Sequence, residues 1–249
     1  PGGRASTRRV ETPRGTLSFD HGAQFFTVRD SAFAAVLAPL RAAGQVAAWV
    51  GRIAHDGVLE PPGAAQRLVG VPGMNALVRG LADGLTVIWG AEVTALRRAD
   101  RLWQGLGADG SALAVARAVV VATPADQPLG TAFAALKSST GPLAWAARQP
   151  SKPGRSSDEA WVLHASQEAS RAQLEQPAED VAKHLLAAFA AVTGNAAAPY
   201  WAMAHRWRYA FVEVPATTPY GWSAERGVGS CGDWRIGPRI EAAFLSGHG

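Results

Sequence analysis

Four short stretches carry residue types that can hold a small ligand and act on it. Near the N-terminus, Pro1-Gly2-Gly3-Arg4-Ala5 is a glycine-rich turn followed by a guanidinium, suited to lining a phosphate with backbone amides and a counter-charge. The run Phe19-Asp20-His21-Gly22-Ala23-Gln24-Phe25-Phe26 sets three polar side chains among aromatic ones, and His21 or Gln24 can face the edge of a ring. In Ala204-His205-Arg206-Trp207-Arg208-Tyr209-Ala210, strand alternation puts His205, Trp207 and Tyr209 on one face, a wall for a flat ligand, with Arg206 and Arg208 on the other. Finally, Gly232-Asp233 precedes a helix expected to open at Pro238, where proline's fixed φ suits the first turn. There the free N–H groups can meet negative charge and the carboxylate can accept from sugar hydroxyls. Each stretch also has a plainer reading: a terminal turn, a satisfied core histidine, sheet packing, a loop.

Composition narrows the chemistry. The 249 residues include 48% apolar and 18% charged ones, enough to bury a sizeable core in one large domain or two intertwined ones. Cys231 is the only cysteine, which excludes an intrachain disulfide framework and a multi-cysteine metal site. No His-x-x-x-His pair, Gly-x-Ser-x-Gly elbow or Walker loop occurs. The net charge of +4 comes from scattered arginines, the tightest group being Arg4, Arg8 and Arg9, which fits a small phosphorylated ligand better than a nucleic-acid polymer. No apolar run is long enough to cross a bilayer and no signal peptide is visible, so the expectation is a soluble, cytoplasmic protein with no metal.

The elements that must position these residues can be read from periodicity. A helix is expected from Asp30 or Ser31 to Gly44, another through Met74, Leu77, Val78 and Leu81, and a third from Pro177 to Val192 with Gly194 past its end. Short strands are expected at 85–88 and 91–96, and a β-meander from Leu96 to Val121 with its turn at Asp109-Gly110. Val119-Val120-Val121 lacks polar alternation, as in a strand buried on both faces of a parallel sheet. Strands are also expected at 143–147 and 161–165, flanking a turn, Ser151-Lys152-Pro153-Gly154-Arg155, that carries two cations.

Taken in order, Pro-Gly-Gly-Arg, Phe-Asp-His-Gly-Ala-Gln-Phe-Phe, Val-Gly-Val-Pro-Gly-Met-Asn-Ala-Leu, Val-Val-Val-Ala-Thr-Pro, Ser-Lys-Pro-Gly-Arg, His-Arg-Trp-Arg-Tyr-Ala and Cys-Gly-Asp-Trp closely resemble the renalase-like branch of the FAD-dependent amine oxidase superfamily, in its bacterial form. The resemblance covers almost the whole chain. It implies an α/β protein with a Rossmann-like FAD-binding domain assembled from 1–28, 69–126 and 224–249, and an inserted α+β substrate domain with an antiparallel sheet from 29–68 and 127–223. It further implies FAD contacts for Gly2, Gly3 and Arg4 along the phosphates, and for His21, Gly22, Ala23 and Gln24 at the isoalloxazine. Val93 would meet the adenine side through its backbone, and Thr123 would end the strand leading out of the FAD domain. Gly232 and Asp233 would meet the pyrophosphate and ribityl hydroxyls, and the helix start with Arg239 and Ile240 the flavin N1 and C2 carbonyl. His205, Trp207 and Tyr209 are the expected catalytic wall, with Arg148, Lys152, Arg206 or Arg208 for anionic groups of the substrate.

The implied reaction is hydride transfer from a reduced nicotinamide-type or amine substrate to flavin, with oxygen as final acceptor giving hydrogen peroxide. The family's Gly-x-Gly-x-x-Gly turn and acidic ribose partner are expected upstream of Pro1. The stretch 125–142 is shorter than the family pattern. Two further readings stay open: a related amine oxidase or desaturase with another substrate, and a non-catalytic remnant that binds a protein or nucleotide.

Overall fold

A computed structural model describes residues 2–61, 66–88, 90–99, 102–116, 119–122, 134–194, 198–206, 212 and 214–248, with backbone only at 114–116 and 119–122. Helices and strands are mixed along the chain, an α/β composition. Two units are formed, the first from 1–81 with 126–211 and the second from 82–125 with 212–249. Segments 1–28 and 29–68 therefore share a unit.

In the first unit, β1 (Arg8–Thr12) and β2 (Gly15–Phe19) form an antiparallel hairpin. Asp30 caps α1 (Ser31–Ala42) as expected, its carboxylate accepting from the amides of Ala32 and Phe33 at 2.9 and 3.0 Å. The helix buries Phe33 and Leu37 and is followed by Gly44 at φ 71°. Short strands β3 (Val46–Trp49), β4 (Ile53–His55), β5 (Val58–Leu59) and β6 (Arg67–Gly70) lead to α2 (Asn75–Leu81), which buries Leu77 beside buried Met74. Phe26 and Leu68 exchange two backbone hydrogen bonds, at 2.9 and 2.8 Å, which fastens the loop after β2 to β6.

The chain then enters the second unit. The strand expected at 85–88 is not one: Leu85 and Ile88 are 68% and 61% exposed, Leu85 N turns back to Ala82 O, and no strand pairs with the stretch among the described residues. An apolar tetrapeptide has strand propensity, but only a neighbouring strand makes it a strand. The strand expected at 91–96 runs instead as β7 (Ala95–Ala99), and it forms with β8 (Leu102–Leu106) and β9 (Ala112–Ala116) the expected meander, with Gly110 at φ 77° in its turn. β10 (Val119–Ala122) follows.

Back in the first unit, β11 (Ala135–Lys137), β12 (Leu143–Arg148) and β13 (Trp161–Ala165) precede α3 (Gln167–Ala172) and α4 (Ala178–Thr193). The sheet order is β13-β12-β11-β4-β5, antiparallel throughout except for β11 beside β4. One face buries Ala54, Leu136, Leu143 and Ala146 against Ala188 and Phe189 of α4. The other face carries Ile53, Lys137, Trp145 and His164.

The second unit closes with β14 (Gly221–Ser223), β15 (Val228–Cys231) and α5 (Ile240–His248). β10 lies parallel to β15, as its unbroken apolar run predicts, and β14 lies antiparallel on the other side of β15. The last helix does not open at Pro238. A 3-10 turn, Asp233–Arg235, comes first, Gly237 at φ 151° breaks the path, and the α-helical bonding begins when Ala243 N donates to Arg239 O at 3.1 Å.

Candidate functional site

Gly2 and Gly3 take φ of 113° and 49°, conformations that favour glycine, and start a 3-10 turn that ends at Ala5. This turn meets the loop after β2. Ala23 N donates to Arg4 O at 2.5 Å, and a Cβ on Gly22 would sit 2.1 Å from the same oxygen. Two stretches singled out separately, Gly2-Gly3-Arg4 and His21-Gly22-Ala23-Gln24, are thus pressed backbone to backbone, and Gly22 has to be glycine for them to touch.

Beneath the loop lies a buried polar network. Asp20 is fully buried; its Oδ1 accepts from Thr7 Oγ1 at 2.8 Å and Met74 N at 3.0 Å. Its Oδ2 accepts from Lys152 Nζ at 3.3 Å and from Arg155 Nε and Nη2 at 3.2 and 2.6 Å. Burial alone would push this carboxyl up, but Lys152, Arg155 and the Met74 amide outweigh it and hold it below the usual range. Burial pushes Lys152 down to about 8, with Arg155 repelling it and Asp20 pulling the other way. The cluster holds two cations on one carboxylate.

Gln24 is part of the same network. Its amide nitrogen donates to the carbonyls of Asp20 and of Gly22, the latter at 2.9 Å, while its oxygen accepts from Lys152 Nζ at 2.7 Å and Gln149 Nε2 at 3.4 Å. Its side chain is therefore occupied in holding the loop, whose backbone is bonded as well at the carbonyls of Asp20, His21 and Gly22 and at the amide of Ala23. Lys152 has no exposed side-chain surface, so it cannot touch an anionic group of a substrate; its charge acts through Asp20 and Gln24. Arg148 is taken up by Glu159 at 2.6 Å and Arg206 by Glu175 at 3.0 Å.

On the outer side of the loop, the His21 ring lies edge-on to His205, centroids 5.4 Å apart, and Arg8 Nη1 approaches His205 Nδ1 at 3.4 Å. Phe19 stacks on Trp201 at 5.7 Å beside them. Burial, then the neighbouring His205 and Arg8, pushes His21 down to about 4. His164 on β13 donates from Nε2 to the His21 carbonyl at 3.2 Å, and burial pushes it down to about 3. His21 and His164 are therefore uncharged at neutral pH, which makes them orienting groups and not proton donors of the imidazolium kind.

In the second unit, Gly232 N donates to Ser246 Oγ at 2.9 Å, so this amide is already bonded within the chain. Asp233 is buried, and Arg239 pairs with buried Glu241 at 3.2 Å in the first turn of α5, beside half-exposed Ile240. Val93 is exposed in the loop before β7. Trp207, Tyr209, Arg208 and Thr123 lie outside the described residues, as does part of 125–142.

Of the residues in this arrangement, Arg8, Thr7, Gln149 and Arg155 are not marked as site residues by their local sequence. A signal for Arg155 was present: Asp20 sits between aromatic residues, and a carboxylate there needs a cation, which the two-cation turn at 151–155 supplies. No protein-family model matches the chain. Its function therefore has to be argued from the site.

Proposed function

We propose that the chain is a flavin-dependent oxidoreductase of the renalase-like kind, taking a hydride from a reduced nicotinamide-type or amine substrate, with oxygen as final acceptor and hydrogen peroxide as product. The observation that carries the reading is the contact of Gly2-Gly3-Arg4 with His21-Gly22-Ala23-Gln24. The resemblance assigns both stretches to one cofactor, and a shared ligand requires them to be adjacent.

The residues fit an FAD. Gly2 and Gly3, at positive φ beside an arginine, can turn amides towards a phosphate, and Gly22, packed against the Arg4 backbone, brings the second stretch up to them. Gly2, Gly3, Arg4, His21, Gly22 and Ala23 would hold it in the first unit. FAD, when bound, supplies the acceptor for the hydride and the route of the electrons to oxygen.

The chain's own residues position and screen. Asp20, Lys152, Arg155 and Gln24 fix the loop backbone. The excess positive charge of that buried cluster favours an electron-rich neighbour. His205, with Trp207 and Tyr209, would form the wall against which a flat substrate lies, and neutral His21 beside it would orient without protonating.

The test is direct. The purified chain is mixed with FAD, freed of excess, and reduced without air by an off-pathway dihydronicotinamide isomer. The expected result is a retained flavin absorbance that bleaches and returns on admitting oxygen, with peroxide formed in step. A chain that retains no FAD overturns the reading.

A further inference from the structure

The sheet face opposite α4 holds a cavity of about 260 Å³ within the first unit, apart from the His21–His205 cluster. Its floor follows from register. Lys137 on β11 pairs with His55 on β4 and with Trp145 on β12, so these three side chains leave the sheet in one row, with Ile53 two residues along β4 on the same face. Phe25 from the loop and Arg67 from β6 complete the lining, the guanidinium 5.5 Å from the Phe25 ring centre and the Phe25 and Trp145 rings 5.9 Å apart.

The lining has aromatic and aliphatic walls, and every charged or titratable group in it is a cation or a histidine. Glu60 lies against two of these groups, Arg67 and, at 4.0 Å, His55, which leaves Lys137 as the cation without an ion pair among the described residues. Glu60 binds Arg67 through two bonds, 2.6 and 2.5 Å, and accepts from Ile53 N at 2.9 Å. Asp56 accepts from Ser139 N and Oγ at 2.7 and 2.9 Å. Lys137 is exposed and makes no ion pair among the described residues. Trp145 is 6% exposed, and its buried indole N–H has no acceptor among the described residues.

We propose that this cavity binds a single-ring aromatic carboxylate, the ring seated against Phe25, Trp145 and Ile53 and the carboxylate held by Lys137 at the mouth. The volume suits one ring with a small substituent. An ammonium with no ion pair among the described residues, beside apolar walls, selects a ligand that is flat at one end and anionic at the other. A cationic ring compound meets like charge from Lys137, and a neutral one forgoes the charge-assisted bond.

The site uses no flavin contact, so it is tested without cofactor turnover and can fail or hold independently of the activity proposed above. Benzoate, benzyl alcohol and benzylamine are titrated into the full chain and binding is read by calorimetry and by saturation transfer from protein to ligand. Benzoate is expected to bind at least about tenfold more tightly than the other two. Lys137→Gln is expected to remove that preference and Lys137→Arg to keep it, with unchanged circular dichroism in each. Equal binding of the three compounds, no binding of benzoate, or full benzoate affinity in Lys137→Gln overturns the assignment.

Discussion

Asp20 and Lys152, separated by 132 positions in the chain, meet at 3.3 Å with neither side chain exposed to solvent. Arg155 joins them on the same carboxylate oxygen at 2.6 Å. One anion thus holds two cations in a place where none of the three can be hydrated. Removing Asp20 is the damaging change. Asp20→Asn is expected to lower stability by about 3–5 kcal/mol, because it leaves two buried cations without a counter-ion. Lys152→Met is expected to cost less, since Arg155 still pairs with Asp20. Urea denaturation of the two variants measures the difference, and equal losses would contradict this account.

The same cluster gives an alkaline signature. Lys152 loses its proton near pH 8 in the fold, against 10.5 ordinarily. Between those values the unfolded chain binds more protons, so this lysine's contribution raises stability as pH rises through the window. Wild type is expected to gain on Lys152→Met between pH 8 and 10.5, measured by denaturation at each pH.

His21 and His164 act at the acid end. Their folded values, about 4 and about 3, lie below the ordinary 6.5, so the unfolded chain binds more protons in between. Their contribution is intact above pH 6.5 and is lost as pH falls towards 3. Histidine NMR titration should find both rings neutral at pH 5.5, and His164→Gln should flatten the acid limb of the stability curve.

Gly22 fixes the meeting of the two N-terminal stretches. Gly22→Ala places a methyl carbon 2.1 Å from Arg4 O, a backbone atom that cannot swing aside. The expected loss is more than about 2 kcal/mol, with a matching loss of retained FAD on the function proposed above. Thermal melts and flavin absorbance read the two effects separately.

Arg67 and Glu60 form a second buried pair, with side chains 10% and 11% exposed. Burial raises the Glu60 carboxyl, but Arg67 and the Ile53 amide bring it below the usual range. Glu60→Gln is expected to cost about 2–4 kcal/mol and, by freeing a cation at the cavity wall, to tighten benzoate binding. Denaturation and calorimetry on one preparation test both.

The amino-acid sequence by itself determined what depends on near neighbours. Asp30 two and three residues before the amides it caps, Gly194 just past a helical stripe, and Asp109-Gly110 between two strands act over a few residues, where hydrogen-bond geometry leaves few alternatives. The unbroken valines of β10 likewise announced a parallel neighbour. Local rules failed where a partner was needed. Leu85 to Ile88 has the composition of a strand and no strand beside it, and Pro238 suits a first helical turn that Gly237 postpones to Ile240. Only the tertiary structure decided that Lys152 faces Asp20 and not a ligand, that the Gln24 amide braces its own loop, and that Lys137, His55 and Trp145 share one row. The two-cation turn at 151–155 is visible in the sequence, but the carboxylate it meets is not. Burial and strand register choose it, and they exist only once distant segments have packed.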